Sequence, residues 1–444
     1  MAGTASTVTG TELHRSLGLV RAAAMVVGTI IGASIFVQPA VVTGAVGTVG
    51  GVFLAWGIAG LLTLAGALIT AELASAYPET GGVYAFLREA YSPAVGFLWA
   101  WAMFWSMHSG IIAAIAVVFA RYVAYFAPLG DSGIRVVAIT AILALSAVNV
   151  LGVGVGSALQ TALTVAKLAA VVVVIVLGFW LGAGLPEHFV SRAAPGAGGW
   201  GGLAAAVAAG LFAFGGWHMV TYTAEETRDP ERTLPRALAV GTLVVTVAYL
   251  ALNAAYLYVL PLDQVSRSTR VAAEAAEVLL GRGGGGAISA LVVGSTFGAL
   301  AGIVLTGPRV YFSLARDRLL FRWVGVVHPV FRTPHRAILL QAVWSSVLVA
   351  TGTYRALFTR VVYTEWIFFA AMAAGVLLLR RRAAYTPVYR VPGGPVIPVV
   401  FAVCGLLVAA SQIVSDWRNS MLGLLLVMVG LPVYAFTRRH PRTG

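Results

Sequence analysis

Runs of about twenty apolar residues follow one another along nearly the whole chain, joined by short polar connections. That pattern decides the class of fold before any motif is considered. A helix crossing a bilayer hides every backbone group by bonding it to itself, and runs of this length fit such helices. Of the 444 residues, 59% are hydrophobic and 10% are charged, where a soluble chain carries about 25% charge. The reading is an all-α polytopic membrane protein with twelve transmembrane helices in one bundle. The spans fall at about 18–43, 48–72, 93–125, 134–151, 157–182, 202–224, 236–260, 286–314, 336–352, 360–380, 396–413 and 419–437.

A net charge of +13 raises the question of nucleic acid, but the arginines are placed otherwise. Nineteen of the 28 fall in the N-terminal segment, the C-terminal tail and every second connection. That bias is the positive-inside pattern, with both termini cytoplasmic in the cell membrane (plasma or inner). The expected partners are the lipid bilayer and a small solute, with no nucleic acid. The N-terminus has no small-residue cleavage site after a short apolar region, so the first span reads as retained. Cys404, the single cysteine, lies in a late apolar span and excludes an internal disulfide. No cofactor and no metal are expected. The chain has no H-E-x-x-H, no G-x-S-x-G in a suitable context and no cysteine–histidine pair for an enzyme. A continuous polar pore or filter repeat, which a channel needs, is also missing.

Two apolar spans carry glycine interruptions. The first is Gly28-Thr29-Ile30-Ile31-Gly32-Ala33-Ser34-Ile35-Phe36. The second, five spans later, is Gly210-Leu211-Phe212-Ala213-Phe214-Gly215-Gly216-Trp217-His218. A broken membrane helix exposes N–H groups one way and C=O groups the other, and is tolerated where it lines a cavity. Paired breaks in corresponding spans point to inverted repeats with a site at their interface. Close helix packing is the other use of such glycines. Lys167, the only lysine, falls near the middle of the fifth span. A central charge costs about 2.5–3.5 kcal/mol on insertion scales, so it normally faces the bundle interior and marks function; snorkelling to an interface is the other reading.

With these stretches the sequence resembles the amino acid–polyamine–organocation (APC) superfamily, and within it the L-type amino acid transporter branch and its prokaryotic relatives. The two glycine stretches match its broken helices 1 and 6. Glu225-Glu226, Asp229-Pro230-Glu231-Arg232 and Leu234-Pro235-Arg236 match the loop that follows helix 6. Tyr77-Pro78 to Tyr84, Ser295-Thr296-Phe297-Gly298 and Glu365-Trp366 fit as well.

The resemblance implies a five-plus-five inverted-repeat core with discontinuous helices 1 and 6. Residues 1–17 would be a cytoplasmic segment, 18–182 the first repeat and 202–380 the second. Residues 396–437 would form peripheral helices 11 and 12, and 438–444 a tail. It implies sodium-independent transport of amino acids by alternating access, as an exchanger or facilitator. A proton-coupled amino acid or polyamine symporter is the alternative. The substrate carboxylate would meet the N–H groups of Gly32, Ala33 and Ser34, and its ammonium the carbonyls of Ile30, Phe212, Ala213 and Gly215. Phe212 would be the aromatic gate, with Glu225 and Glu226 pairing with loop arginines as an inner gate or facing solvent. Lys167 would stand in for the cation of sodium-coupled relatives, bonding carbonyls at the helix 1 break and reaching toward Ser295 or Thr296. Ser34 places a Cβ where glycine is common. His218 is either a packed neutral histidine or a proton-linked or selecting group. Ser106 is a candidate lining residue, and Glu365 is placed near the outer end of span 10, as a gate or an interfacial group. The absence of an obvious acidic group at the pocket favours neutral substrates. Residues 126–135 carry no cysteine, so no disulfide-linked heavy chain is expected.

Overall fold

The computed structural model describes residues 13–180, 185–190, 198–268, 271–281, 284–352 and 354–439. The N-terminal segment up to residue 12 and the tail beyond 439 lie outside the described residues. In chain order the helices are α1 (Leu19–Ile30), α2 (Gln38–Val46), α3 (Val49–Ala76), α4 (Val83–Ala90), α5 (Pro93–Ala102) and α6 (His108–Val123). They continue as α7 (Asp131–Val150), α8 (Val153–Trp180), α9 (Gly199–Ala213), α10 (Pro230–Val259), α11 (Leu262–Arg267) and α12 (Val271–Leu280). The last are α13 (Gly284–Thr306), α14 (Pro308–Arg316), α15 (His335–Thr351), α16 (Tyr354–Leu379), α17 (Val396–Ser415), α18 (Trp417–Met428) and α19 (Gly430–Arg439). A π-helical turn, Met103–Met107, joins α5 to α6. Among the described residues there is no strand, only one bridge between Leu17 and Thr227.

Nine helical segments are long and apolar enough to cross a membrane among the described residues, so this is a multi-pass membrane protein. Length and apolarity alone therefore do not reproduce the count of twelve. The first apolar span divides into two short helices, α1 and α2, and α15 has only 17 residues.

Local chemistry explains several boundaries. Thr48 caps α3 by accepting from the Gly51 N–H at 3.1 Å. Pro230 opens α10, as proline suits a first helical turn. The sequence placed the start of this helix nearer Pro235, which the structure carries inside α10. The chain thus begins its helix before the apolar run does.

Packing centres on α1, which is enclosed by α8, α10 and α13. α9 lies against α2 and α3, and α16 against α17 and α6. In lipid the drive for such packing is close contact and interhelical hydrogen bonding, since lipid tails are as apolar as leucine. Gly28 shows how close the contact is. It is helical within α1, and a Cβ there would sit 2.1 Å from Gln160 Nε2 and 2.3 Å from Thr164 Oγ1 of α8. Its role is approach, and the break comes three residues later.

Candidate functional site

The first apolar span stops being helical at Ile31 and Gly32, both of which are extended. A short 3-10 turn, Ala33–Phe36, then leads into α2. Ser34 has no positive φ, so its Cβ is accommodated without strain. The second break runs from Phe214 to Gly216, after which Trp217–Glu226 forms a 3-10 segment. Gly216 is doubly constrained. Its φ is +101°, and a Cβ would lie 3.0 Å from the Thr29 carbonyl oxygen. Thr29 Oγ1 lies 3.1 Å from Gly216 O, so the two breaks touch.

Tyr249 of α10 ties them together. Its hydroxyl lies 3.2 Å from Ile30 O and 3.1 Å from Ala213 O, the last helical carbonyls of α1 and α9. The ring is buried against Trp56 and Phe214, at centroid distances of 5.5 and 4.9 Å. A phenol has one proton, so it donates to one carbonyl at a time. Tyr249 was not legible as a site residue in the sequence, because a tyrosine in a long apolar span looks like packing. The one available signal was that a buried phenol needs a partner.

Lys167 of α8 is buried, with Nζ donating to Ile31 O at 2.5 Å and to Gly28 O at 3.1 Å. Its charge therefore sits at the carbonyl end of α1, which is the favourable end of that dipole. The expected link to α13 through Ser295 or Thr296 is not formed. The Thr296 hydroxyl bonds back to Val292 O at 2.7 Å within its own helix, and Ser295 Oγ is buried without a hydrogen-bond partner. The Thr296 hydroxyl, close to its own backbone, finds the i−4 carbonyl first.

A cavity of about 320 Å³ opens where the breaks meet. It is lined by Ile30, Gly32, Ser34, Phe212, Ala213 and Gly215, with Ile111 and Ile115 of α6 opposite. Phe212 is 45% exposed, so it stands at the edge of the open cavity and does not seal it. Ser106 is not among the lining residues, because its hydroxyl bonds Ala102 O at 2.9 Å within the helix.

Glu365 requires a correction. α16 begins at Tyr354, so Glu365 lies well inside that helix and lines the cavity beside Trp366 and Phe369. The pocket therefore does contain an acidic group. Glu365 Oε1 is 3.9 Å from His218 Nε2, too long for a hydrogen bond but close enough to couple two charges. His218 is fully buried among Trp99, Trp217, Tyr222 and Phe369, with neither ring nitrogen hydrogen-bonded.

Below the second break the chain is closed by ion pairs. Glu226 and Arg309 are both fully buried and bidentate, at 2.7 and 2.9 Å, and Arg309 also donates to the Leu305 carbonyl. Glu225 pairs with Arg316 at 2.6 Å and accepts from the Thr80 N–H at 3.3 Å. Arg88 holds Glu79 and Asp317, each at 2.6 Å. Tyr84 donates to Asp317 at 2.5 Å, and burial, with that bond, raises its phenol well above the ordinary value. It therefore stays a donor at neutral pH. The N-terminal segment is strapped across this layer, with Ser16 N donating to Glu226 O and Arg228 N to Leu17 O. Arg309 is a core residue of this seal. Arg309→Ala strands a buried carboxylate, so it is expected to cost about 3–5 kcal/mol of unfolding free energy in mixed-micelle denaturation. A loss below about 1 kcal/mol would show that the pair is solvated in the resting protein.

The comparisons with known proteins agree with this geometry. The family model for amino acid permeases matches residues 17–431. The serine/threonine exchanger SteT of Bacillus subtilis (strain 168) is 34% identical over 95% of this chain and 96% of its own. The large neutral amino acids transporter small subunit 2 of Homo sapiens is 31% identical, over 96% of this chain and 81% of its own. The b(0,+)-type amino acid transporter 1 of Homo sapiens is 30% identical, over 96% of this chain and 88% of its own. These relatives are transporters and not enzymes. Matched almost end to end and folded around two touching helix breaks, the chain belongs to the amino acid permease family of the APC superfamily, in its L-type branch.

Proposed function

We propose that this protein moves neutral amino acids across the cell membrane without sodium, as an exchanger or facilitator working by alternating access. The observation that carries the reading is Lys167. A fixed ammonium already satisfies Gly28 O and Ile31 O, the carbonyls a cation would seek at the first break. The substrate carboxylate is assigned to the N–H groups of Gly32, Ala33 and Ser34, where a helical turn begins with unpaired donors. Its ammonium is assigned to the carbonyls of Ile30, Phe212, Ala213 and Gly215. Phe212 is the gate on the open side, and the Glu226–Arg309 and Glu225–Arg316 pairs are the inner gate.

Twelve crossings with both termini cytoplasmic, and a core of two five-helix repeats over 18–182 and 202–380, belong to the same reading. The arginine bias and the placement of the two breaks support it. The names of the relatives support neutral substrates, since serine, threonine and large neutral amino acids appear in them. Glu365 at the cavity wall suits side chains that offer a hydrogen-bond donor. The human relative is named a small subunit. For this chain we infer no disulfide-linked partner, because Cys404 lies within the membrane helix α17.

The test is counterflow of labelled threonine or leucine in proteoliposomes. Replacing sodium by choline on both sides is expected to leave the initial rate within about 20%, because saturable carriage needs no ion that the protein already supplies. Dependence on a sodium gradient would sink the reading. The same vesicles test the second reading, proton coupling, which the pairing of the cavity-lining Glu365 with the buried His218 favours. An inward proton gradient that drives accumulation above equilibrium would establish it in place of exchange.

A further inference from the structure

The segment Ser289–Arg316 is long and apolar enough to be one span, yet its backbone ladder is interrupted at Gly307-Pro308, between α13 and α14. Pro308 has no N–H to give the Val304 carbonyl. Side chains take the carbonyls around this joint. Gln341 Nε2 of α15 donates to Val304 O at 3.2 Å, and His108 Nε2 of α6 donates to Ile303 O at 3.0 Å. Arg309, from α14 itself, donates to Leu305 O. Gly307 leaves the room that these contacts need, since a Cβ there would lie 2.1 Å from Gln341 Oε1 and 2.3 Å from His108 Nε2. The end of α13 is thus pinned to two neighbouring helices. Ile303, whose carbonyl is held, also lines the cavity between the helix breaks.

Below the joint, α14 has two opposed faces. Arg309, Ser313 and Arg316 fall at i, i+4 and i+7 and share one of them. Arg309 pairs with Glu226 and Arg316 with Glu225, while Ser313 packs on Gly81, where a Cβ would lie 2.9 Å from its hydroxyl oxygen. Tyr311 and Leu314 lie on the opposite face. They line a second cavity, of about 760 Å³, whose other walls include Trp105, Leu340 and Trp344. Protein interiors are normally close-packed, so a helix seldom has such space behind it. Movement of α14 into this space draws it away from the seal and meets no packed core.

We propose that α14 is the moving arm of the inner gate. It pivots at Gly307-Pro308 into the second cavity, and His108 and Gln341 are positioning residues that hold the pivot still. This rests on the reading of the Glu226–Arg309 and Glu225–Arg316 pairs as the inner gate, and adds which element moves and in what order the pairs open. A pivot of about 20° at Pro308 carries the far end of this nine-residue helix by about 5 Å. Arg309 sits beside the pivot and moves least, so the buried pair, which is costly to break, holds. Arg316 sits at the far end, half exposed, and parts from Glu225 at little cost. The Arg88–Asp317 pair lies at the same end and opens with it.

Two readouts on the full chain test this. One is the rate at which a maleimide labels Ser313→Cys in a Cys404→Ser background in detergent, since Ser313 is buried on the sealed face. The other is counterflow in proteoliposomes. L340W, which fills the cavity behind α14, is expected to slow labelling and the maximal counterflow rate about tenfold, with KM within about twofold of wild type. L339W, at an exposed position of the same helix, is expected to change neither. P308A returns an N–H to the ladder, so it is expected to act like L340W at an unchanged or higher melting temperature. H108L is expected to lower the maximal rate with KM held, and H108Q, which keeps a donor near the Nε2 position, to recover most of it. If H108L does not fold, L340W and P308A decide. Wild-type labelling and maximal rates in both of these overturn the proposal, as does a fall that L339W shares. A raised KM at an unchanged maximal rate overturns it too, because the residues would then act on substrate binding. H108Q no better than H108L removes the positioning role. Sodium-dependent counterflow would sink the transport reading and leave labelling to judge the arm, whereas normal counterflow in L340W and P308A sinks the arm alone.

Discussion

Lys167→Ala is expected to lower amino acid counterflow to about a hundredth of wild type or less, a change worth about 2.7 kcal/mol. The substitution strands the carbonyls of Gly28 and Ile31, which share one ammonium at 3.1 and 2.5 Å. Each buried acceptor left without a donor costs about 1–3 kcal/mol. It also removes the positive charge that sits against the negative end of α1. The break would then relax, either by recruiting water or by closing toward helix, and the N–H groups beyond it would lose their aim. Methionine at 167 keeps most of the volume and none of the charge, so it separates filling from electrostatics. Lys167→Met is expected to be as inactive as alanine, measured by initial rates in proteoliposomes with equal reconstituted protein. Wild-type rates in both variants would remove the basis for sodium-independence argued above.

How far the sequence could be read follows from where each group finds its partner. Lys167 was legible because a charge in mid-membrane has few acceptable solutions, and carbonyls at a nearby break are one of them. The breaks were legible because two glycine runs interrupt apolar spans at corresponding places. Their details were not. Gly28 looks like a helix breaker in sequence and acts as a contact point for Gln160 and Thr164. Glu365 was misplaced because the first turns of its helix carry Arg355 and Arg360, which read from sequence as a polar connection and hide a start eleven residues upstream. That shift moves a carboxyl from the presumed mouth into the cavity, beside His218. The burial of Arg309 was not legible for a different reason. Arginine is almost always solvated, and only a specific acid at the right height makes burial acceptable. Glu226, 83 positions earlier, is that acid. Pairings of this kind are properties of the fold and leave no local pattern.

Tyr249→Phe is expected to reduce transport by about 10- to 100-fold, about 1.4–2.7 kcal/mol, with little loss of stability. The ring and its contacts with Trp56 and Phe214 remain, and only the oxygen is lost. That oxygen faces Ile30 O and Ala213 O, which end α1 and α9. Both carbonyls belong to the set assigned to the substrate ammonium, and each oxygen has two lone pairs. The phenol and the ammonium therefore share the same acceptors from opposite sides. With one proton to donate, the hydroxyl favours one half-helix at a time, and any movement of α1 against α9 must exchange or break that bond. Loss of the hydroxyl should weaken substrate binding, because the two carbonyls are no longer held at a common distance. It should also slow the exchange step, because the half-helices lose a shared hinge point. The measurements are initial counterflow rates over a range of substrate concentrations, together with melting temperature. If the hydroxyl only satisfies a buried phenol, Tyr249→Phe will transport like wild type and melt at the same or a higher temperature. A fall in rate at unchanged melting temperature instead places Tyr249 in the working parts of the site.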